Sequence, residues 1–307
     1  MPEPTISPPS PPKLSKAAIF FRRLFSFVVL WTIVLSGLFS GHKVLSDYVF
    51  LIIILLLAVS GMLEFYGMVK KLNYACYANW GITGGVLMIL FTFVCISGEF
   101  IPNGGPSRMN DRETIFIILF VLGLCVRQFA SRRVATGILA ISTTLFGMMY
   151  VPWLLNFIQK INFFGQAGVE GAYYVLYFVL VTKFSDCGAY AVGSLIGRHK
   201  MIPRISPGKT WEGLGGAVVV STAASVIFAH LAGPHLAGMT LLHSIILGII
   251  LSLAAVVGDL IESLFKREAG LKDSGHLFPG IGGILDLLDS LLFNAPIMYL
   301  YLRHVLT

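Results

Sequence analysis

The chain has 307 residues, of which 56% are hydrophobic and 12% charged, against about 25% charged in soluble domains. This excludes a soluble globular protein and predicts an all-α, polytopic integral membrane protein. The net charge of +7 is a matter of loop placement in such a chain and does not argue for nucleic-acid binding. Cys76, Cys95, Cys125 and Cys187 are scattered with no C-x-x-C pair, which argues against a disulfide framework or a zinc site.

Pro2, Pro4, Pro8, Pro9, Pro11 and Pro12 mark residues 1–16 as a disordered tail. Lys13, Lys16, Arg22 and Arg23 then precede an apolar run with no small-residue cleavage site, so no cleavable signal peptide is expected. A membrane span needs about 20 mostly apolar residues. The candidates are 20–40, 48–69, 80–98, 113–127, 134–156, 172–196, 213–232, 240–265 and 281–302, about nine spans in all, the fourth being short. With the N-terminus in the cytoplasm, most of the 22 Lys and Arg fall in inside segments. Lys43, Arg108, Arg112, Lys160 and Arg303 fall outside, and Lys183 falls within a span. That bias supports an odd number of spans with the N-terminus cytoplasmic, in the cytoplasmic membrane.

Residues 17–170 form a first region of plain apolar helices. Glu64, near the cytoplasmic end of the second span, reads as a structural interface carboxylate within reach of Lys70 or Lys71. Segment 99–112 has turn chemistry and reads as an outside loop.

Residues 171–307 differ in character and form the expected catalytic region. The sixth span carries Lys183, Ser185 and Asp186, and its Gly188, Gly193 and Gly197 allow close helix approach. Ser206-Pro207-Gly208-Lys209-Thr210 superficially resembles a phosphate loop. Pro203 stands where the first glycine belongs, however, and apolar helix precedes it, so that reading is rejected. Lys209, the hydroxyls and backbone N–H groups near a helix start still suit an anion.

The eighth span ends with Asp259, Glu262, Ser263 and Lys266 at i, i+3, i+4 and i+7, on one helical face. Asp286 and Asp289 share a face of the ninth. Asp259 lies about 9 Å of helix rise before the end of its span and Asp286 about 8 Å after the start of the next, at similar depth. A carboxylate in hydrocarbon is unfavourable by roughly 2.5–3.5 kcal/mol, so such a cluster calls for a compensating cation. A hard ion such as Mg²⁺ takes oxygen ligands and substrate phosphate, and Lys266, Arg267 and Lys272 add positive charge for phosphates. This is the arrangement that phosphoryl and nucleotidyl transfer need. Internal pairing of Asp259 with Lys183 and Asp286 with Arg267 is one alternative, and an ion pathway in a transporter is another.

The same residues resemble the CDP-diacylglycerol synthase (phosphatidate cytidylyltransferase) family. Ser263-x-x-Lys266-Arg267, Lys272-Asp273-Ser274-Gly275-His276 and Pro279-Gly280-x-Gly282-Gly283-x-x-Asp286-x-x-Asp289-Ser290 follow its C-terminal signature in order and spacing. Gly258-Asp259, the run from Ser206 to Gly213, and Asp186 with Gly188, Ala189 and Tyr190 extend the likeness over about 172–295. Two positions depart: Ile281 where the family commonly has His, and Leu287 where it commonly has Arg. These motivate a further rival, a non-catalytic relative.

The resemblance implies CMP transfer from CTP to phosphatidic acid, giving CDP-diacylglycerol and pyrophosphate. It implies Mg²⁺, with room for a second cation, and a homodimer in the bilayer. It places Asp259 and Asp286 at the metal with Lys266 beside them, and Lys272 sharing the charge. Asp273 and Asp289 then orient ligands or lysines. Ser206, Lys209, Thr210 and Glu212, with Ser263 and Arg267, hold nucleotide phosphates, and Asp186 completes the cavity.

Overall fold

Inside hydrocarbon each backbone N–H and C=O must be satisfied within its own segment, so long apolar runs fold as helices. The computed structural model describes residues 42–97, 105–131, 136–164, 169–275 and 282–306, together with Thr32, Leu35, Ser36 and Phe39. The predicted tail at 1–16, most of the predicted span 20–40, and His276, Pro279, Gly280 and Ile281 lie outside the described residues.

The long helices are α1 (Lys43–Lys71), α2 (Ala78–Ile96), α3 (Gly105–Phe129), α4 (Gly137–Asn162), α5 (Gly171–Ile196), α6 (Trp211–Ala232), α7 (Leu241–Glu268) and α8 (Ile284–Tyr301). All but α3 are long and apolar enough to cross a membrane, which makes 7 among the described residues against about nine predicted. Of the two not matched, the first predicted span falls mostly outside the described residues. The fourth lies within α3, which is longer than expected and more polar. Its opening turns hold Arg108, Asn110, Asp111, Arg112 and Glu113, and residues 105–112, read as loop, are helical.

Glu113 does not face lipid. It pairs with Lys160 from the last turn of α4, and both are buried. Asn156 ties this pair to α2, donating to Thr92 Oγ1 at 2.8 Å and to Glu113 Oε1 at 3.3 Å.

Two helices end in the same way. After α1, Asn73 takes φ 57°, and the Tyr74 N–H reaches the Val69 carbonyl at 3.1 Å. After α7, Gly270 takes φ 63°, and the Leu271 N–H reaches the Lys266 carbonyl at 2.8 Å. These left-handed caps satisfy carbonyls that the helix leaves orphaned. The second turns the chain sharply just past Lys266.

One element is not helical. β1 (Lys200–Ile202) and β2 (Ser206–Thr210) form an antiparallel hairpin, pairing Lys200 with Thr210 and Ile202 with Ser206. Pro203, whose ring pre-sets φ for a turn, begins the connection, closed by Ile205 N–H on the Ile202 carbonyl at 3.1 Å. β2 runs straight into α6, where Thr210 Oγ1 caps the helix by accepting from Gly213 N–H at 3.1 Å. The segment that superficially resembles a phosphate loop is thus a strand. As extended chain, it does not wrap a phosphate as a P-loop does.

α8 sits centrally and is the most buried of the candidate spans, and α6 is the least buried. One buried cluster joins Met62 and Tyr66 of α1, Val151 and Leu155 of α4, Tyr177 and Phe178 of α5, Leu251 of α7 and Leu288 of α8. This core unites residues on both sides of position 170.

Small residues set the approach of α5 to α6. A Cβ on Gly188 would stand 2.6 Å from the Gly216 carbonyl oxygen, and one on Gly216 would stand 2.4 Å from Val192 Cβ. Gly216→Val is therefore expected to cost at least about 1–3 kcal/mol through overpacking. Thermal unfolding in detergent would show it as a lowered midpoint.

Candidate active site

The last turns of α7, the first turns of α8, the C-terminal turns of α5 and the hairpin line a cavity of about 560 Å³. Its polar wall holds Asp186, Ser206, Lys209, Thr210, Asp259, Lys266, Asp273, Asp286 and Asp289. Ala189, Tyr190, Leu214 and Val256 supply an apolar side.

On α7 the predicted spacing places its side chains on one face. Asp259 Oδ2 meets Lys209 Nζ at 2.7 Å, and its Oδ1 accepts from the Ser263 hydroxyl at 3.3 Å. Lys209 also donates to the Val256 carbonyl at 3.1 Å, so the hairpin is fastened to α7. One turn on, Glu262 is fully buried. Lys266 Nζ touches Glu262 Oε2 and lies 2.5 Å from Asp286 Oδ1. The lysine therefore bridges α7 and α8.

Asp286 is the third residue of α8, and its other oxygen turns back to the helix start. Asp286 Oδ2 accepts from Gly283 N–H at 2.8 Å and Ser274 N–H at 3.1 Å, with the Ser274 hydroxyl at 3.0 Å. One turn deeper, the Asp289 carboxylate faces α7. The helices meet closely here: a Cβ on Gly258 would stand 2.5 Å from the Asp289 carbonyl oxygen. As a result Asp259, Glu262 and Asp289 each bring an oxygen within 4.8 Å of the others.

The expected pair of Asp259 and Asp286 does line one cavity, but the three-carboxylate cluster is completed by Glu262 and Asp289. Asp286 is occupied by its lysine and its cap. Glu262, on the predicted face, joins this cluster, and its i+3 spacing from Asp259 is the sequence signal for it.

Other predicted positions lie elsewhere. Glu212 is held by Arg198 N–H and His199 N–H, both at 3.2 Å, and by His199 Nδ1 at 2.6 Å, closing the α5–β1 corner. Arg267 donates to the Ile205 carbonyl at 3.1 Å and the Leu271 carbonyl at 3.3 Å, bracing the hairpin. Lys272 is exposed, and neither it, Glu212, Arg267 nor Ser263 lines the cavity. The alternative ion pairs do not form as drawn: Asp259 meets Lys209 and Asp286 meets Lys266. Lys183 instead contacts Asp186 at 3.3 Å, the Leu287 carbonyl at 3.1 Å and the Ser290 hydroxyl at 3.4 Å.

A sequence model described as the cytidylyltransferase family matches residues 21–305. The chain belongs to the cytidylyltransferase family. Among its relatives is the phosphatidate cytidylyltransferase of Staphylococcus saprophyticus, 32% identical over 263 residues, covering 82% of this chain and 91% of that protein. The phosphatidate cytidylyltransferase of Staphylococcus epidermidis is 30% identical over 283 residues, covering 91% and 98%. An uncharacterized protein of Escherichia coli K12, YnbB, is 32% identical over 244 residues, covering 79% and 75%.

In this cytidylyltransferase-family fold the cluster suits a divalent cation. Glu262 is fully buried; Lys266 meets its Oε2, and its Oε1 has no hydrogen-bond donor among the described residues. One lysine shared with Asp286 leaves negative charge in excess over Asp259, Glu262 and Asp289, and buried carboxylates are costly unless compensated. The donors are all oxygens, which suits Mg²⁺ rather than a soft metal. Where the family commonly has Arg, Leu287 offers no cation, but the Lys183 ammonium reaches that same turn of α8 through the Leu287 carbonyl.

Proposed function

We propose that this chain transfers CMP from CTP to phosphatidic acid, releasing pyrophosphate and leaving CDP-diacylglycerol in the bilayer. The observation that carries this reading is the grouping of Asp259, Glu262 and Asp289, of which Asp259 and Asp289 line the cavity together with Lys209, Lys266 and an apolar side. Such a cavity accommodates a triphosphate and a lipid phosphate together. Family membership and relatives named phosphatidate cytidylyltransferase support the same reaction. On this reading the N-terminus is cytoplasmic, the cavity opens to the cytoplasm, and the protein works as a homodimer in the cytoplasmic membrane.

A phosphate oxygen of phosphatidic acid attacks the α-phosphorus of CTP in line. A new P–O bond forms, the bond to the bridging oxygen breaks, and pyrophosphate carries away the electron pair. Asp259, Glu262 and Asp289 would hold Mg²⁺, with room for a second cation, and the ion would supply charge neutralisation at the phosphates. Lys209 and Lys266 exchange carboxylate partners for phosphate oxygens, stabilising charge on the leaving group. Asp286 holds Lys266 in register from the other side. Ser206 and Thr210 present hydroxyls along the hairpin wall, and Asp186 anchors Lys183 beside α8. Asp273 stands at the cavity rim.

The test uses purified protein in detergent with labelled CTP, phosphatidic acid and Mg²⁺. Labelled CDP-diacylglycerol is expected from the wild type, falling about 10³-fold in Asp259→Asn protein of unchanged melting temperature. No labelled lipid from the wild type, across several lipids and divalent ions, would remove the proposal and favour a transporter or a non-catalytic relative.

A further inference from the structure

Glu64 lies in α1, far in sequence from every cavity residue, yet its carboxylate ends at the start of α8. Its Oε1 accepts the Ile284 N–H at 2.9 Å, and its Oε2 accepts the Leu285 N–H at 2.8 Å. These are orphan donors at the positive end of a helix, where a carboxylate is most stabilising. The Ser274 hydroxyl lies 3.0 Å from Glu64 Oε2 and 3.0 Å from Asp286 Oδ2, so one proton is shared between the two acids.

The fit is close. A Cβ on Gly275 would stand 2.3 Å from Glu64 Oε1, and one on Gly283 would stand 2.4 Å from Glu64 Oε2. Two glycines thus leave the space that this carboxylate fills. What it holds is the backbone that aims Asp286: Ser274 and Gly283 both donate to Asp286 Oδ2, while Asp286 Oδ1 grips Lys266. The linkage runs from α1 through Ser274, Ile284 and Asp286 to the lysine at the cavity.

We propose that Glu64 is a positioning residue for the transferase reaction, fixing the start of α8 so that Asp286 presents Lys266 to the phosphates. This inference rests on the cytidylyl-transfer reading above. It assigns the N-terminal helices a part in the chemistry beyond spanning the membrane.

Glu64→Gln tests it in the full-length protein. The amide keeps the shape but retains one acceptor oxygen and turns an NH₂ toward N–H donors. Expected are a kcat lowered about 10–100-fold, as for other supports of active-site ligands, and a KM for CTP within about threefold of wild type. Glu64→Asp, which keeps both acceptors, should recover part of the lost kcat. Hydrogen–deuterium exchange supplies a readout independent of activity: amides at 284–285 should exchange at least about tenfold faster in Glu64→Gln, with 292–300 unchanged. A kcat equal to wild type per folded molecule, or unchanged exchange at 284–285, overturns the proposal. If the wild type transfers no CMP, the transferase reading falls and the catalytic role falls with it. Faster exchange would then still show the Glu64 anchor in solution.

Discussion

Glu262→Gln is expected to lower turnover about 10³-fold, roughly 4 kcal/mol of lost transition-state stabilisation, and to leave the fold largely intact. The glutamine fills the same space, and Lys266 keeps its second partner, Asp286. What disappears is one of three negative charges gathered between α7 and α8. With a weaker hold on the cation, the Mg²⁺ concentration giving half-maximal rate should rise at least about tenfold. A titration of initial rate against Mg²⁺, run beside thermal unfolding, separates this from simple destabilisation. Wild-type rate and Mg²⁺ response in the variant would move the cation site away from Glu262.

Lys266→Met is expected to be more damaging, because it harms both stability and rate. The ammonium lies between Glu262 and Asp286 in a largely buried setting, its side chain 12% exposed. Removing one member of a buried ionic group leaves its partners uncompensated, at about 3–5 kcal/mol. The methionine replaces the stem but not the charge, so α7 and α8 would repel where they now join. Unfolding in detergent should begin well below the wild-type midpoint, and the folded fraction should be inactive. Added Mg²⁺ is expected to restore part of the stability and none of the rate. Full wild-type stability without Mg²⁺ would contradict the bridging role.

These two side chains also show where sequence stops informing structure. The apolar runs of α1, α2 and α5–α8 were readable because a bilayer imposes one length and one composition on every span. The carboxylate ladder was readable for a similar reason: Asp259, Glu262 and Lys266 must share a face at 3.6 residues per turn. Which acid of α8 joins the carboxylates of α7 was not readable. Asp286 and Asp289 share a face, and only the turn-back of Asp286 onto Gly283 and Ser274 decides between them. Glu64 was placed with Lys70 and Lys71 because neighbours in sequence are the only partners a sequence displays. Its true partners lie 220 and 221 residues away. The hairpin went unforeseen because three- and five-residue strands leave almost no periodic pattern, and here Pro203 pointed only to a turn.

The buried Glu113–Lys160 pair bears on how the protein is made. The ribosome delivers Glu113 before Lys160, so when α3 emerges its acid lacks the partner it has in the folded protein. α3 is also the one long helix among those described that carries too many charges to count as a membrane span by composition. Its insertion is therefore expected to be helped by α4, whose Lys160 supplies the missing charge. Translation halted between them would strand an unpaired acid at the channel, a natural mark for proteolytic clearance.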